Sequence, residues 1–261
     1  MKTYQDQIGS LLEFDKRPKR IISLVPSLTE LLVDLGLEES IVGLTKFCIH
    51  PNYLKEIKTI VGGTKNINIE KIKTLKPDII LCNKEENTKE IVKLCKQVAP
   101  THVSDIYTID DTLELIKLYG NLFYKKTEAK EIIRKINFEL TDFLQFINTK
   151  EIKKVAYFIW KTPWMIAANN TFINHLLQLN KFDNIYQNKE RYPEIELDKI
   201  KLKGNLDFLF LSSEPYPFKE KDVSEIEQIT NSKAFLVDGE MFSWYGSRLI
   251  KAFEYFKTLH Q

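Results

Sequence analysis

The stretch INIEKIKTLKPDIILCNKEE, residues 67–86, is answered about half a chain later by IELDKIKLKGNLDFLFLSSE, residues 195–214. Each copy reads as a short helix opened by an acidic residue (Glu70, Asp198). A turn, an aspartate, an apolar strand and a glutamate (Glu85, Glu214) follow. The register slips by one residue in the turn. A helix–strand unit built twice predicts two similar lobes, and a cleft between lobes is where small ligands bind.

The apolar patterning around the repeats supports an α/β class. Asp78 to Cys82 and Asp207 to Leu211 are near-continuous apolar runs, as expected of parallel strands buried on both faces. Arg20 to Leu24 predicts a strand, Ser27-Leu-Thr-Glu30 a capping box, and Gly36 the end of the helix that follows. Residues 4–15 predict a hairpin turning at Gly9-Ser10. Between Gly120 and Pro163 there is no Gly or Pro, and Ile132, Ile136, Leu140, Phe143 and Ile147 recur at helical spacing. One long helix from about Tyr124 to Asn148 is expected there, too long for an ordinary crossover and suited to act as a strut. The fold reading is therefore two Rossmann-like α/β lobes with mainly parallel sheets. Residues 1–122 and 151–261 form the lobes, residues 123–150 the connecting helix, and the ligand cleft lies between the lobes.

Composition narrows the function classes. The 261 residues suffice for two modest domains, and the net charge of +2 mixes both signs along the chain. That gives no electrostatic case for nucleic acid or an anionic membrane. Cys48, Cys82 and Cys95 are odd in number and lack CxxC spacing, so free thiols in a reducing compartment are expected. The N-terminal segment has no apolar run of signal-peptide length and nothing approaches a membrane span, which predicts a cytoplasmic protein without membrane insertion.

In open α/β sheets, ligands meet the loops at the carboxyl ends of strands. Those loops hold Lys46, Phe47, Cys48 and His50, then Glu85, then Trp160 and Trp164, then Glu214, then Trp244, Tyr245 and Arg248. All three tryptophans fall in them, where a flat face is available for stacking. Cys48 and His50 are the candidate metal ligands, with Glu85, Glu86 or Glu240 able to join them, and Cys48 is also a candidate nucleophile. Glu70 and Asp198 have two readings, as helix-dipole partners or as one carboxylate per lobe for a partner's basic residues.

The run IISLVPSLTELLVDLG, then IVGLT, VGG, the IEKIKTLKPDIIL unit, the long helix and the second unit, resembles the helical-backbone substrate-binding proteins of ABC importers. Their cobalamin-binding type is the nearest likeness. The resemblance implies two lobes bridged by a rigid helix, little hinge motion, and a bound cobalamin or other corrinoid, haem or ferric chelate rather than a cofactor. It implies that Phe47 and Tyr192 are cleft aromatics. Thr64 or Lys65 falls where the family has a stacking tryptophan. It further implies that Glu70 and Asp198 dock on permease arginines. The expected molecule is a monomeric, non-enzymatic binding protein for a small-molecule ligand, oriented by Lys46, Lys65, Glu85, Glu214 and Arg248. The alternatives are a cytoplasmic enzyme using Cys48, and a cytosolic metal sensor or trafficking protein.

Overall fold

The computed structural model describes residues 1–200 and 206–261. They form two compact units. Unit 1 comprises Met1–Phe138 with Tyr245–Ile250, and unit 2 comprises Glu139–Trp244 with Lys251–Gln261.

Unit 1 begins with an antiparallel hairpin, β1 (Lys2–Gln5) and β2 (Leu11–Phe14). Then β3 (Ile21–Ser23), α1 (Pro26–Asp34), β4 (Ile41–Leu44), α2 (Leu54–Ile57) and β5 (Thr59–Ile60) build one side of a sheet. After α3 (Ile69–Thr74), β6 (Ile79–Asn83), α4 (Lys89–Lys96) and β7 (Thr101–Ser104) build the other, and α5 (Ile109–Leu122) closes the alternation. The order is β5-β4-β3-β6-β7, all parallel. Every residue of β3 and β6 is buried, and both are apolar up to a polar last residue, Ser23 and Asn83.

The helix α6 (Lys126–Asn148) contributes residues up to Phe138 to unit 1 and the remainder to unit 2. It starts two residues later than periodicity suggests because Tyr124 sits at φ 57°, a left-handed backbone that no helix continues through. Its expected stripe is buried at Ala129, Ile132, Ile136, Phe143 and Ile147.

Unit 2 repeats the plan with β8 (Lys153–Trp160), β9 (Met165–Ala167), α7 (Phe172–Leu179), β10 (Phe182–Asn184) and β11 (Phe208–Ser212). It continues with α8 (Glu220–Thr230), β12 (Ala234–Val237), α9 (Gly239–Ser243) and α10 (Leu249–Thr258). The order β10-β8-β11-β12 is parallel, and β9 pairs antiparallel with β8. Phe143 of α6 packs on Phe253 and Phe256 of α10, with ring centroids 5.7 and 5.9 Å away.

The two repeats occupy matching places. In each unit the repeat's strand (β6, β11) pairs beside the unit's first sheet strand (β3, β8). In each, the repeat's aspartate pins that neighbour. Asp78 Oδ2 accepts the Lys19 and Arg20 amides at 2.7 and 2.9 Å, while its own amide donates to the Arg20 carbonyl at 2.8 Å. Asp207 Oδ2 accepts the Lys154 amide at 2.7 Å, and its own amide donates to the Lys154 carbonyl at 2.9 Å.

One local expectation is corrected. Ser27 caps nothing: α1 starts at Pro26, with Val25 as N-cap and no side-chain cap. Proline at the first position removes one of the unpaired amides of the helix start and fixes a helical φ. Glu30 instead lies buried against Arg248, 2.8 Å from its Nε. Of the helix expected over Asp198–Leu202, the described residues show a 3₁₀ turn at Leu197–Lys199; residues 201–205, with the rest of that helix and the turn of the second repeat, lie outside the described residues.

The shared aspartates make a direct prediction. Asp78→Ala should lower unfolding free energy by about 2 kcal/mol and Asp207→Ala by about 1 kcal/mol, in proportion to the side-chain hydrogen bonds each loses. Urea titration measures both. Equal or negligible losses would show that the aspartates do not pin the strands.

Candidate functional site

In an open parallel sheet the strand order reverses at one place, and the loops that leave there diverge to form a crevice. In unit 1 the reversal lies between β3 and β6, in unit 2 between β8 and β11.

The unit 1 face is assembled by two buried asparagines. Asn83 ends β6, and its Oδ1 accepts the amides of Glu85 at 2.8 Å and Glu86 at 3.2 Å. Its Nδ2 donates to the Ser104 carbonyl and hydroxyl, both at 3.1 Å. Asn87 Oδ1 accepts the Asn83 amide at 2.9 Å, and its Nδ2 reaches the carbonyls of Thr64 at 2.9 Å and Leu24 at 3.5 Å. The loops after β3, β5, β6 and β7 are thereby tied together. Lys65 adds a bond from Nζ to the Glu85 carbonyl at 2.6 Å.

On this frame Phe47 is 48% exposed. Beneath it lies Gly63, where a Cβ would meet the Phe47 ring at 3.0 Å. The ring therefore rests on bare backbone. Lys46 Nζ stands 5.0 Å from the ring centroid. Glu86 is half-buried. Burial pushes its carboxyl up, against the opposing pull of Lys65 and a hydrogen bond from Thr64.

Cys48 lies under this surface. It is fully buried, with its Sγ 3.1 Å from Thr29 Oγ1 and 3.3 Å from Thr45 Oγ1. Burial pushes its thiol up, and the charge of Glu86 adds to the effect. Neither a nucleophile nor a metal-binding thiolate is favoured there. His50 is half-buried. Among the described residues, Cys48 and His50 belong to no group of three metal-ligand side chains. Tyr245 and Arg248 are buried in unit 1. Tyr245 meets Ser104 Oγ at 3.0 Å, and Arg248 meets Glu30.

Unit 2 has its own strand-end cluster. Trp160, the last residue of β8 and 39% exposed, meets the Tyr216 ring after β11 with centroids 5.8 Å apart. Glu214 Oε1 accepts the Ser243 hydroxyl at 2.5 Å and Trp244 Nε1 at 2.9 Å. The other two tryptophans are packed rather than displayed. Trp164 stacks on Phe218 at 5.9 Å, under the Lys161 ammonium, and Trp244 is buried. Lys161 itself is committed to Asp222 at 2.7 Å and Glu225 at 2.5 Å. Tyr192 is half-buried in a segment laid along β9, with the Arg191 guanidinium 5.8 Å from its ring. Sequence reasoning passed over Asn83 and Asn87. Their signal was two asparagines bracketing the loop of an apolar strand, a place where Asn side chains often hold backbone amides.

Glu70 and Asp198 are both exposed. Glu70 follows the N-cap Asn68 of α3 and pairs with Lys73 at 2.8 Å. Asp198 lies in the 3₁₀ turn. Among the described residues no helix is long and apolar enough to cross a membrane.

Comparison with known proteins gives these faces a context. An uncharacterised ABC transporter substrate-binding lipoprotein of Bacillus subtilis is 25% identical over 97% of this chain and 83% of its own. A vitamin B12-binding protein of Vibrio parahaemolyticus is 23% identical over 74% of this chain and 70% of its own. The crystal structure of a possible iron-binding, periplasmic solute-binding protein from Staphylococcus epidermidis superposes with a TM-score of 0.77 at 25% identity. It covers 94% of this chain and 98% of that one. The cytoplasmic location expected from the N-terminal segment is corrected: a lipoprotein relative and a periplasmic family place the chain's kin outside the cytoplasm. The model of the family described as "Periplasmic binding protein" matches residues 21–237, and the chain belongs to that family of two-lobed α/β binding proteins.

Proposed function

We propose that this chain is the substrate-binding component of an ABC-type importer and that it carries a metal chelate or tetrapyrrole of the corrinoid, haem or ferric-siderophore kind. The observation that carries the reading is the pair of strand-end faces. Each lies at a reversal of strand order, and each has an aromatic ring held out from a hydrogen-bonded frame: Phe47 over Gly63, and Trp160 against Tyr216. Flat aromatic surface suits planar guests, and relatives are named for B12 and iron. Lys46, Phe47, Lys65, Glu85, Trp160, Tyr192 and Glu214 supply guest contacts. Cys48, Trp164, Trp244, Tyr245 and Arg248 support them from within.

The chain acts without catalysis. The burial and raised thiol of Cys48 argue against a cysteine nucleophile. Glu70 in unit 1 and Asp198 in unit 2 are exposed carboxylates at matching helical starts, suited to basic residues of a permease. The protein works as a monomer that presents one carboxylate from each unit.

Protein purified from its own source should show, by native mass spectrometry and visible absorption, a bound corrinoid, haem or ferric chelate. A colourless protein that also binds none of these on titration would overturn the reading. Glu70→Arg combined with Asp198→Arg should abolish stimulation of the permease ATPase in reconstituted vesicles while leaving guest affinity unchanged. Full stimulation by the double variant would remove the docking assignment.

A further inference from the structure

The unit 1 face says more about the guest's chemistry than planarity. Two cations belong to the loops that make the Phe47 shelf: Lys46, whose Nζ stands 5.0 Å from the ring centroid, and Lys65, two residues beyond the Gly63 on which the ring rests. Both are exposed, and neither has a carboxylate within ion-pair distance among the described residues. Two further strand-end lysines are already committed, Lys84 to Asp105 at 2.5 Å and Lys161 to Asp222 and Glu225. Lys65 uses one of its three N–H donors on the Glu85 carbonyl, which fixes its ammonium in place and leaves two donors for a guest.

Building on the function proposed above, we infer that this face selects a flat guest bearing carboxylate groups, with Phe47 under the plane and Lys46 and Lys65 pairing the carboxylates. A guest seated there excludes water from both ammonium groups, and charge-assisted bonds then gain strength over exposed surface pairs. A guest whose edge carries only amides gains nothing comparable. Glu86 sits on the same loop within reach of Lys65's charge. It opposes a carboxylate guest to the extent that it is ionised, so it tempers the site.

The test uses the full chain and three probes. Haemin is flat with two free propionates. Haemin dimethyl ester keeps the plane and masks both carboxylates. Cyanocobalamin has an amide-rich edge. Affinities are read from quenching of tryptophan fluorescence in dilute detergent. Haemin should bind about tenfold or more tightly than its ester. Lys46→Ala and Lys65→Ala should each weaken haemin by roughly five- to tenfold and leave the ester unchanged. Phe47→Ala should weaken both porphyrins. Glu86→Gln should tighten haemin alone, a gain that damage to the fold cannot produce. Equal binding of haemin and ester, lysine variants that bind haemin normally, or tight binding of cyanocobalamin alone would each overturn the carboxylate inference and leave the importer reading standing. Failure of all three probes would remove the inference, and the importer reading would then rest on the source-purified protein.

Discussion

A parallel strand buried on both faces has nowhere to put chemistry except its ends. In this chain β3, β6 and most of β11 are enclosed along their length. Polar function is therefore driven to the loops at the carboxyl ends, and it concentrates where the strand order reverses. Those loops then need fixing, since loops otherwise sample many conformations. Asn83 and Asn87 do this in unit 1 by satisfying amides and carbonyls of four loops from inside the sheet end. Buried and fully hydrogen-bonded amides of this sort specify one arrangement, because any other leaves polar groups stranded. Phe47, Lys46 and Lys65 inherit their positions from that frame.

The duplicated segment separates structural work from functional work. Its aspartates, Asp78 and Asp207, hold the neighbouring strand in register at the base of each sheet. Its glutamates stand at the other end, and in both copies the glutamate amide is held by a side chain two residues earlier, Asn83 in one and Ser212 in the other. The loops beyond them have diverged. Unit 1 presents a ring on glycine flanked by lysines, whereas unit 2 presents Trp160 with Tyr216 and a carboxylate gripped by Ser243 and Trp244. Arg248 and Tyr245, which follow α9 in sequence, serve unit 1 by pairing with Glu30 and Ser104.

Much of this was legible in the residues. The apolar runs at 79–82 and 208–211 announce buried strands because neither face needs polar side chains. The stripe from Ala129 to Ile147 announces α6 because one helical face must be dry. What escaped was short or long-range. The strands β5, β9 and β10 have two or three residues each, too few for a period to appear. The Ser27–Glu30 spacing matches a capping box, but proline at the helix start and a partner 218 positions away claim those residues instead. The tryptophans show the limit of reading a loop as a surface: Trp164 and Trp244 follow strands in sequence yet pack inward, and only Trp160 stays open. Cys48 lies in a loop of site residues, but burial beside two threonines makes it part of the support. Location was misjudged because the first residues of a chain say little about the compartment of a family whose relatives include a lipoprotein.

The central claim is that the strand-end loop faces carry the guest, on rings held out by buried polar frames. A crystal structure of the protein with the guest it retains on purification from its own source tests this most directly. The account predicts electron density for a flat guest in van der Waals contact with the exposed face of the Phe47 ring. Density located instead at the opposite ends of the strands, with Phe47 still facing solvent, would contradict it.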